Sequence, residues 1–241
     1  MKLQRLLSLT RQAVDQYHMI EAGDHIAVGI SGGKDSLTLL CALSHLRRFY
    51  PLPFTLSAIT VDLGLGNLDL APVEALCSQL SVPYHVVPTE IGAVLFDIRK
   101  ESNPCSLCAK MRKGALNARA LELGCTKIAY AHHKDDLIET AMMSLLYEGH
   151  FYAFSPNTYL DRTGLGVIRP LLFVSEAEVV GFQRRHALPV CKNPCPMDGH
   201  TKRAYVKNLI RQIQKENPGA KDRLFHAVIT GNMKGWPQAD Q

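Results

Sequence analysis

The chain reads Ile-Ala-Val-Gly-Ile-Ser-Gly-Gly-Lys-Asp-Ser at residues 26–36. The first five residues predict a buried strand, and the apolar stretch that follows, residues 37–43, predicts a helix. Glycines between a strand and a helix let backbone N–H groups approach an anion closely. The helix start adds unpaired donors and a partial positive charge. This stretch therefore predicts an α/β fold with a phosphate site at residues 31–36, which we name the phosphate turn.

The phosphate turn differs from the common Walker A loop. That loop needs a glycine at position 28 and a serine or threonine directly after the lysine. Val28 and Asp35 occupy those two positions, which excludes a Walker A site. The sequence Ser-Gly-Gly-Lys-Asp-Ser instead resembles the PP-loop of the ATP pyrophosphatases, which cleave ATP between its α- and β-phosphates and adenylate a substrate. The resemblance assigns nucleotide binding to Ser31, Gly32, Gly33, Lys34, Asp35 and Ser36. A surface turn without a ligand is the alternative.

The composition is typical of a soluble globular protein. Of the 241 residues, 46% are hydrophobic and 20% are charged, and the net charge is +5. No apolar run approaches the ~18 residues of a membrane span. Polar residues interrupt the first apolar segment, as in an amphipathic helix rather than a signal peptide. We therefore expect a cytoplasmic protein without membrane contact, whose seven cysteines do not form structural disulfides.

Apolar segments alternate with segments of helical period along the chain. Predicted strands lie at residues 25–30, 54–61, 84–87, 127–131 and 167–168. Predicted helices lie near residues 34–49, 70–81, 107–123, 135–147, 175–186, 201–217 and 220–230. This order predicts a doubly wound, mostly parallel sheet of about five strands flanked by helices, with ligands at the carboxyl ends of the strands. We expect the least regular stretch, residues 149–166, to form a flexible loop over the active site.

The chain is expected to have four parts. They are an N-terminal helix at 1–24, a nucleotide-binding α/β domain at 25–190, a basic helical C-terminal region at 191–231 and a tail at 232–241. Between residues 202 and 223 the C-terminal region contains seven Lys or Arg and two acids. Such a cluster either binds nucleic-acid phosphates or forms an ordinary solvated helix face.

A second motif, Ala-His-His-Lys-Asp-Asp-Leu-Ile-Glu-Thr, occupies residues 131–140. Acids at a helix start interact favourably with the helix dipole, which is one reading of Asp135 and Asp136. The other reading is a Mg²⁺ site, because Mg²⁺ binds one or two carboxylates together with phosphate oxygens. The motif resembles the G-H-H-x-D-D-x-x-E-T segment of PP-loop tRNA-modifying enzymes, which also implies nucleotide binding by His132. The same resemblance implies a nucleotide contact at Asp62, for which a turn residue is the alternative.

The cysteines form a third constellation. Cys105 and Cys108 make a C-x-x-C pair, which in a cytosolic chain is redox-active, zinc-binding or iron–sulfur-binding. Cys191 and Cys195 are the candidates for a further ligand. The other three cysteines lie in helical or strand-entry segments and are expected to be buried small hydrophobes.

The three constellations together resemble the tRNA 2-thiocytidine synthetases and their near relatives. An Arg-Pro-Leu-Leu stretch at residues 169–172 adds to this resemblance, which implies an adenine nucleotide alpha hydrolase-like fold. In that group a C-x-x-C pair and one later cysteine hold a 4Fe–4S cluster. Cys195 is favoured over Cys191, because a proline after it and Arg203 eight residues later resemble the third-ligand segment of related thiouridine synthetases. Three protein ligands leave one iron open for an exogenous sulfide, whereas ligation by both late cysteines would close the cluster.

The resemblance implies an ATP-dependent tRNA sulfurtransferase that uses ATP, Mg²⁺ and the cluster. It would adenylate the C2 oxygen of an anticodon-loop cytidine with help from Asp135 or Asp136, and then replace AMP with sulfur. Arg112 or Lys113 would stabilise the α-phosphate, although a solvated helix face that contacts tRNA is as consistent with them. The expected partners are tRNA, a donor of sulfide or persulfide sulfur such as a cysteine desulfurase, and a second copy in a homodimer. The alternatives are a tRNA ligase of the lysidine synthetase type and a non-enzymatic iron–sulfur or zinc sensor that binds nucleic acid.

Overall fold

The computed structural model describes residues 1–66, 69–99, 104–191, 195 and 202–231. Within these ranges the helices are α1 (Leu3–Gln16), α2 (Lys34–Leu46), α3 (Ala71–Gln79), α4 (Ile91–Ala93), α5 (Pro104–Glu122), α6 (Lys134–Met143), α7 (Glu176–Arg185), α8 (Lys202–Glu216) and α9 (Ala220–Thr230). A π-helical turn follows α4 at Val94–Ile98, and another follows α6 at Ser144–Glu148. Among the described residues, no helix has the length and apolar character needed to cross a membrane.

The strands form one sheet in the order β3-β2-β1-β4-β6-β5. They are β1 (His25–Gly29), β2 (Thr55–Asp62), β3 (Tyr84–Pro88), β4 (Lys127–Ala129), β5 (Asn157–Leu160) and β6 (Leu165–Ile168). All neighbouring strands are parallel except β5, which pairs antiparallel with β6. The chain order reverses between β1 and β4, and this kind of switch point opens a crevice at the carboxyl ends of the strands.

Two apolar layers cover the two faces of the sheet. On one face α1, α2 and the later helices bury a large core that includes Leu39, Leu40 and Phe182. On the other face α5 packs Leu116 and Ala120 against Ile59 of β2, Ile128 of β4 and their apolar neighbours. Because that smaller core fixes α5 against the middle strands, the first half of α5 lies beside the switch point.

The predicted fold class is confirmed, with two differences in detail. The expectation of an irregular stretch at 149–166 is wrong for Asn157–Leu160, which forms the edge strand β5. This strand is short and half-exposed, so it lacks the apolar run that marks the interior strands. The helix predicted near 107–123 begins earlier, at Pro104, because proline suits the first position of a helix. The predicted tail at 232–241 lies outside the described residues.

Candidate active site

The phosphate turn joins β1 to α2, with Gly33 as the residue that precedes the helix. The Ser36 hydroxyl accepts a hydrogen bond from Ser31 N at 3.2 Å and donates one to Gly33 O at 3.0 Å. Gly33 N in turn donates to Ser31 Oγ at 3.3 Å. Gly32 has a φ of +77°, a left-handed conformation that glycine adopts without steric cost. Serine hydroxyls and glycine backbone thus shape this turn, as the sequence motif predicts.

Cys191 packs directly against the phosphate turn. Its backbone N–H donates to Gly32 O at 2.9 Å, and its Sγ lies 3.2 Å from Asp69 O. A Cβ atom at Gly32 would lie 3.1 Å from Cys191 Cβ. Cys191 therefore acts as a support of the turn, and the close approach is a second reason for a glycine at position 32.

A cavity of about 540 Å³ opens beside the phosphate turn at the switch point. Its volume lies in the usual range for small-molecule sites. The residues that line it come from the ends of β1, β2 and β4, from α2, α5 and α6, and from the segment after β6. Those with polar or charged side chains are Ser31, Asp35, Ser36, Arg112, Lys113, Tyr130, His132, Asp136 and Arg169.

Two carboxylates of the cavity meet at the buried imidazole of His133. His133 Nε2 lies 3.6 Å from Asp35 Oδ1, and His133 Nδ1 lies 3.3 Å from Asp136 Oδ2. The Oδ1 atom of Asp35 is buried and accepts no hydrogen bond from the described residues. A buried carboxylate oxygen without a donor is costly unless a cation or ligand satisfies it. Asp35 and Asp136 are therefore the pair best arranged to bind Mg²⁺ together with phosphate oxygens.

Asp135, next to Asp136 in sequence, does not line the cavity. Its Oδ2 accepts from Glu176 N at 2.7 Å, and its Oδ1 pairs with Lys221 Nζ at 2.5 Å. Burial raises the pKa of Asp135, but the hydrogen bonds from Lys221 and Glu176 outweigh burial and hold the pKa below its ordinary value. These contacts join α6 to α7 and α9, so Asp135 has a structural role in this arrangement.

Lys34 is turned away from the cavity in this structure. Its Nζ lies 3.1 Å from Asp35 Oδ2 and 3.4 Å from Glu176 Oε1. Burial lowers the pKa of Lys34, but the two carboxylates outweigh that effect and raise the pKa above its ordinary value. Lys34 is therefore protonated at neutral pH, and its contact with a phosphate stays a prediction.

His132 lies in an aromatic and cationic wall of the cavity. Its ring centroid is 4.8 Å from that of Phe154, and its Nδ1 accepts from Arg169 Nε at 3.3 Å. Burial and the neighbouring Arg169 lower the pKa of His132 to about 4. His132 is thus a neutral acceptor at physiological pH.

Two residues of this wall were not predicted as site residues from the sequence. Burial lowers the pKa of Arg169 to about 10, and the guanidinium faces the Phe154 ring at 5.0 Å. The hydroxyl of Tyr130 is buried and has no hydrogen-bond partner among the described residues. For Arg169 the only sequence signal is the Arg-Pro-Leu-Leu stretch that contains it, and no sequence signal indicates Tyr130.

Asp62 ends β2 at the same edge of the sheet but does not line the cavity. Its carboxylate accepts from Gly64 N at 3.0 Å, and its carbonyl accepts from the Thr89 hydroxyl at 2.6 Å. Asp62 therefore shapes the turn after β2, as its alternative interpretation proposed. Its contact with a nucleotide stays a prediction.

The C-x-x-C pair lies in the first turns of α5, the helix that also carries Arg112 of the cavity. Cys105 is exposed and Cys108 is half-buried. Burial raises the pKa of Cys108, Arg112 opposes this rise, and the nearby thiols of Cys195 and Cys105 raise the pKa further. Cys195 thus affects the pKa of Cys108, whereas Cys191 packs against the phosphate turn, and the choice of the third ligand stays a prediction.

The donor set fits an iron–sulfur cluster, since its candidate ligands are free thiols that are exposed or half-buried, and Arg112 lies beside Cys108. Arg112 and Lys113 follow the pair by one turn of α5 and line the cavity. Throughout the described ranges, no three His, Cys, Asp or Glu side chains are close enough to enclose one metal ion. A cluster of several irons spans more widely separated thiolates, and Mg²⁺ takes its remaining ligands from phosphate and water.

Three of the seven cations between residues 202 and 223 are paired with acids of the α/β domain. Arg203 contacts Asp136 Oδ1 at 3.6 Å and Glu139 Oε2 at 3.4 Å. Lys207 Nζ lies 2.5 Å from Glu176 Oε1, and Lys221 is bound to Asp135 as described above. These three cations are thus neither the plain solvated face nor unpaired cations in the free chain, and their contact with RNA phosphates stays a prediction.

Residues 5–216 match the PP-loop domain family. A tRNA-cytidine(32) 2-sulfurtransferase from Pelobacter propionicus is 38% identical, with 93% of this chain and 84% of that protein covered. A protein of the same name from Geobacter metallireducens is 36% identical, with 90% and 86% covered. A third from Geobacter sulfurreducens is 34% identical, with 97% and 91% covered.

The fold also matches solved structures. The U34-tRNA thiolase NcsA from Methanococcus maripaludis with its 4Fe–4S cluster aligns with a TM-score of 0.74 and 25% identity, over 92% of this chain and 76% of that one. The NH3-dependent NAD synthetase from Campylobacter jejuni aligns with a TM-score of 0.51 and 13% identity, over 96% and 95% of the two chains. The second likeness concerns the fold alone.

A parallel sheet with this phosphate turn and an acidic helix start at its switch point defines a nucleotide-binding protein of the PP-loop class. Within that class, the relatives that are 34–38% identical over most of the chain all have the same name. The chain belongs to the PP-loop family, in the group of the tRNA-cytidine(32) 2-sulfurtransferases.

Proposed function

We propose that this chain is an ATP-dependent tRNA sulfurtransferase that replaces the C2 oxygen of an anticodon-loop cytidine with sulfur. One observation carries the proposal: the phosphate turn, the carboxylates of Asp35 and Asp136, and the helix that begins with Cys105 and Cys108 all meet at one cavity. The names of the relatives supply the substrate, a tRNA cytidine.

The chemistry needs two successive substitutions. The C2 oxygen of the base attacks the α-phosphorus of ATP, and the bond to pyrophosphate breaks. A sulfur nucleophile then attacks C2, and the original oxygen leaves as part of AMP. ATP is consumed because oxide is a poor leaving group and AMP is a good one.

The phosphate turn would bind the pyrophosphate end of ATP. Ser31 and Ser36 line the cavity, and the N-terminus of α2 directs unpaired N–H groups toward the same place. Negative charge accumulates on the departing pyrophosphate, so donors fixed in advance stabilise the transition state. Asp35 and Asp136 would hold Mg²⁺, which would supply positive charge to the phosphates of ATP.

Arg112 and Lys113 would act on the α-phosphate. Both lie on α5 and line the cavity together with the two serines of the phosphate turn. The neutral His132 and the buried hydroxyl of Tyr130 face the same space and would accept or donate hydrogen bonds to the bound base or nucleotide. Arg169 would keep His132 in position through its hydrogen bond to Nδ1.

Cys105, Cys108 and Cys195 would hold a 4Fe–4S cluster. Because only three cysteines would hold it, the cluster would supply a site for sulfur binding that the chain itself does not occupy. The proposed sulfur source is sulfide, or the persulfide of a cysteine desulfurase together with a thiol reductant that supplies the two electrons needed to release its outer sulfur. We further propose that the protein acts in the cytoplasm, as a homodimer, with the parts 1–24, 25–190, 191–231 and 232–241 as its organisation.

The test uses protein reconstituted anaerobically with iron and sulfide, unmodified tRNA, ATP and Mg²⁺. Mass spectrometry of the digested tRNA is expected to find 2-thiocytidine, with one AMP and one pyrophosphate released per sulfur incorporated. Turnover of ATP without any thionucleoside would exclude sulfur transfer. Lysine-dependent pyrophosphate release would instead support a ligase.

Matched cysteine variants test which residues bind the proposed cluster. Cys195→Ala is expected to lose the iron content and visible absorbance of the reconstituted protein, whereas Cys191→Ala keeps both. The reverse result would exchange the roles of the two cysteines. An intact spectrum in Cys105→Ala would remove the cluster from this site.

A further inference from the structure

A group of large side chains is exposed where α6 ends. Tyr147 is 44% exposed, Phe151 is 43% exposed and Tyr152 is 48% exposed. Leu145 and Leu146 beside them are also about half exposed. Soluble domains rarely leave contiguous apolar side chains on the surface unless they bind something.

The exposed segment has a defined shape. The π-helical turn Ser144–Glu148 ends at Gly149 in the left-handed conformation, and π-helical turns occur often at functional sites. The buried Ser144 hydroxyl accepts from Tyr152 N at 2.8 Å and lies 2.9 Å from His150 O. These bonds hold Tyr152 in a fixed place relative to the helix, so its exposure does not result from a loose loop.

Helix α8 adds a cation and another ring to the same surface. Lys202 Nζ lies 4.9 Å above the centre of the Tyr147 ring. Tyr205, one turn further along α8, is 62% exposed. The only acid within the π-helical turn is Glu148, whose carboxylate lies 3.5 Å from His150 Nε2. We name the side chains of Tyr147, Phe151, Tyr152, Lys202 and Tyr205 the aromatic surface.

The aromatic surface is joined to the cavity by Phe154. This residue follows Tyr152 closely in the chain, and its ring contacts His132 at 4.8 Å and Arg169 at 5.0 Å. Both of those residues line the cavity. A series of rings thus leads from the protein surface to the wall of the candidate active site.

We infer that the aromatic surface binds the unstacked bases of a single-stranded RNA loop and guides one of them toward the cavity. Rings that are exposed but fixed stack on bases of any sequence, and a cation beside a ring contacts the backbone phosphates. RNA loops offer splayed bases, which duplex RNA does not. This combination of rings, a cation and a path to the cavity favours RNA over an apolar protein partner. The inference rests on the proposed function and names the surface that holds its substrate.

The test measures fluorescence anisotropy of a labelled RNA stem-loop with a cytidine in the loop, titrated with the reconstituted full chain. The double variant Tyr147→Ala, Tyr205→Ala is expected to bind the stem-loop about 10-fold or more weakly. A duplex of the stem alone is expected to bind equally to both proteins. Tyr147→Phe with Tyr205→Phe keeps the rings and should bind like the unsubstituted chain.

Tyr159→Ala is the matched control, because Tyr159 is 65% exposed on the edge strand β5 and lies outside the aromatic surface. It should leave stem-loop binding unchanged, and equal thermal unfolding of all variants checks their folding. Unchanged binding by the double alanine variant would overturn the inference, even if the unsubstituted chain thiolates tRNA. If the double alanine variant keeps its RNA affinity but no longer self-associates in sedimentation, the aromatic surface is a contact between copies of the chain. That result would also overturn the inference. An unsubstituted chain that thiolates no tRNA would instead refute the proposed function.

Discussion

Two groups of cations in this molecule look alike in sequence and differ in what they face. Arg112 and Lys113 of α5 line the cavity. Lys207 and Lys221 of α8 and α9 lie 2.5 Å from the carboxylates of Glu176 and Asp135, respectively. The first group faces the cavity in which we propose that ATP binds, and the second joins helices of the same chain.

The difference follows from the neighbours of each helix. Helices α6 and α7 begin with acids, which suit a helix N-terminus, and α8 and α9 pack near those starts. Helix α5 packs through Leu116 and Ala120 on an apolar part of the sheet. A count of charges therefore does not identify a nucleic-acid surface, because the packing decides which charges are already neutralised.

The largest expected effect tests the cavity-facing group. Arg112→Ala should lower kcat/KM for pyrophosphate release by about 10²–10³-fold, because a fixed cation near developing phosphate charge is worth about 3–4 kcal/mol. The measurement is a tRNA-dependent pyrophosphate assay with the reconstituted protein. Thermal unfolding should change little.

Arg119→Ala is the control for this substitution. Arg119 lies on the same helix and pairs with Glu122 at 2.8 Å, away from the cavity. An equal loss of activity in both variants would mean that α5 tolerates no change of charge. In that case Arg112 would have no special role.

The second effect tests the group that pairs with acids. Lys221→Ala leaves the buried carboxylate of Asp135 without its cation, and breaking such a pair is expected to cost about 2–4 kcal/mol of unfolding free energy, with some relief from solvent. Urea unfolding at neutral pH measures it. A loss below about 0.5 kcal/mol, the size of an exposed pair, would contradict the structural role of Lys221.

A third, smaller effect concerns pH. The pKa of Asp135 in the folded chain lies below its ordinary value of 3.8, so its stabilising contribution exists above that value and is lost as the pH falls through the folded pKa. Without Lys221, burial would raise the pKa of Asp135. Protonation of Asp135 would then remove the cost of an unpaired buried charge in the variant. The difference in unfolding free energy between the two proteins should therefore shrink as the pH falls from the raised pKa of Asp135 in the variant to its lowered pKa in the unsubstituted chain. A difference that stays constant with pH would exclude Asp135 as the group involved.

The fold was predictable because its main signals are local. The apolar strands, the glycine turn and the amphipathic helices each fit in a window of a few residues. Strand β5 was not predicted, because an exposed edge strand needs no apolar run. Its pairing with β6 becomes clear only when the sheet is assembled.

The candidate site was predictable in part. The phosphate turn and the acidic motif point to the cavity, but neighbouring residues in a motif can face different ways. Asp136 lines the cavity, whereas Asp135 pairs with Lys221, 86 residues later in the chain. Sequence reasoning also missed Tyr130 as a site residue, because only its buried and unpartnered hydroxyl distinguishes it from a core tyrosine.

The smallest effect separates the two groups of cations by salt dependence. Each phosphate contact adds about one unit to the slope of log Kd against log salt concentration. In titrations without ATP, Lys113→Gln should reduce that slope for tRNA by about one unit, because Lys113 is exposed at the cavity and can contact a tRNA phosphate when no α-phosphate is bound. Lys207→Gln should leave the slope unchanged, because its ammonium group is already paired with Glu176. Both slopes come from filter-binding titrations at several salt concentrations. An equal reduction in both variants would show that the Lys207–Glu176 pair opens when tRNA binds, and the contrast between the two groups would then hold only for the free protein.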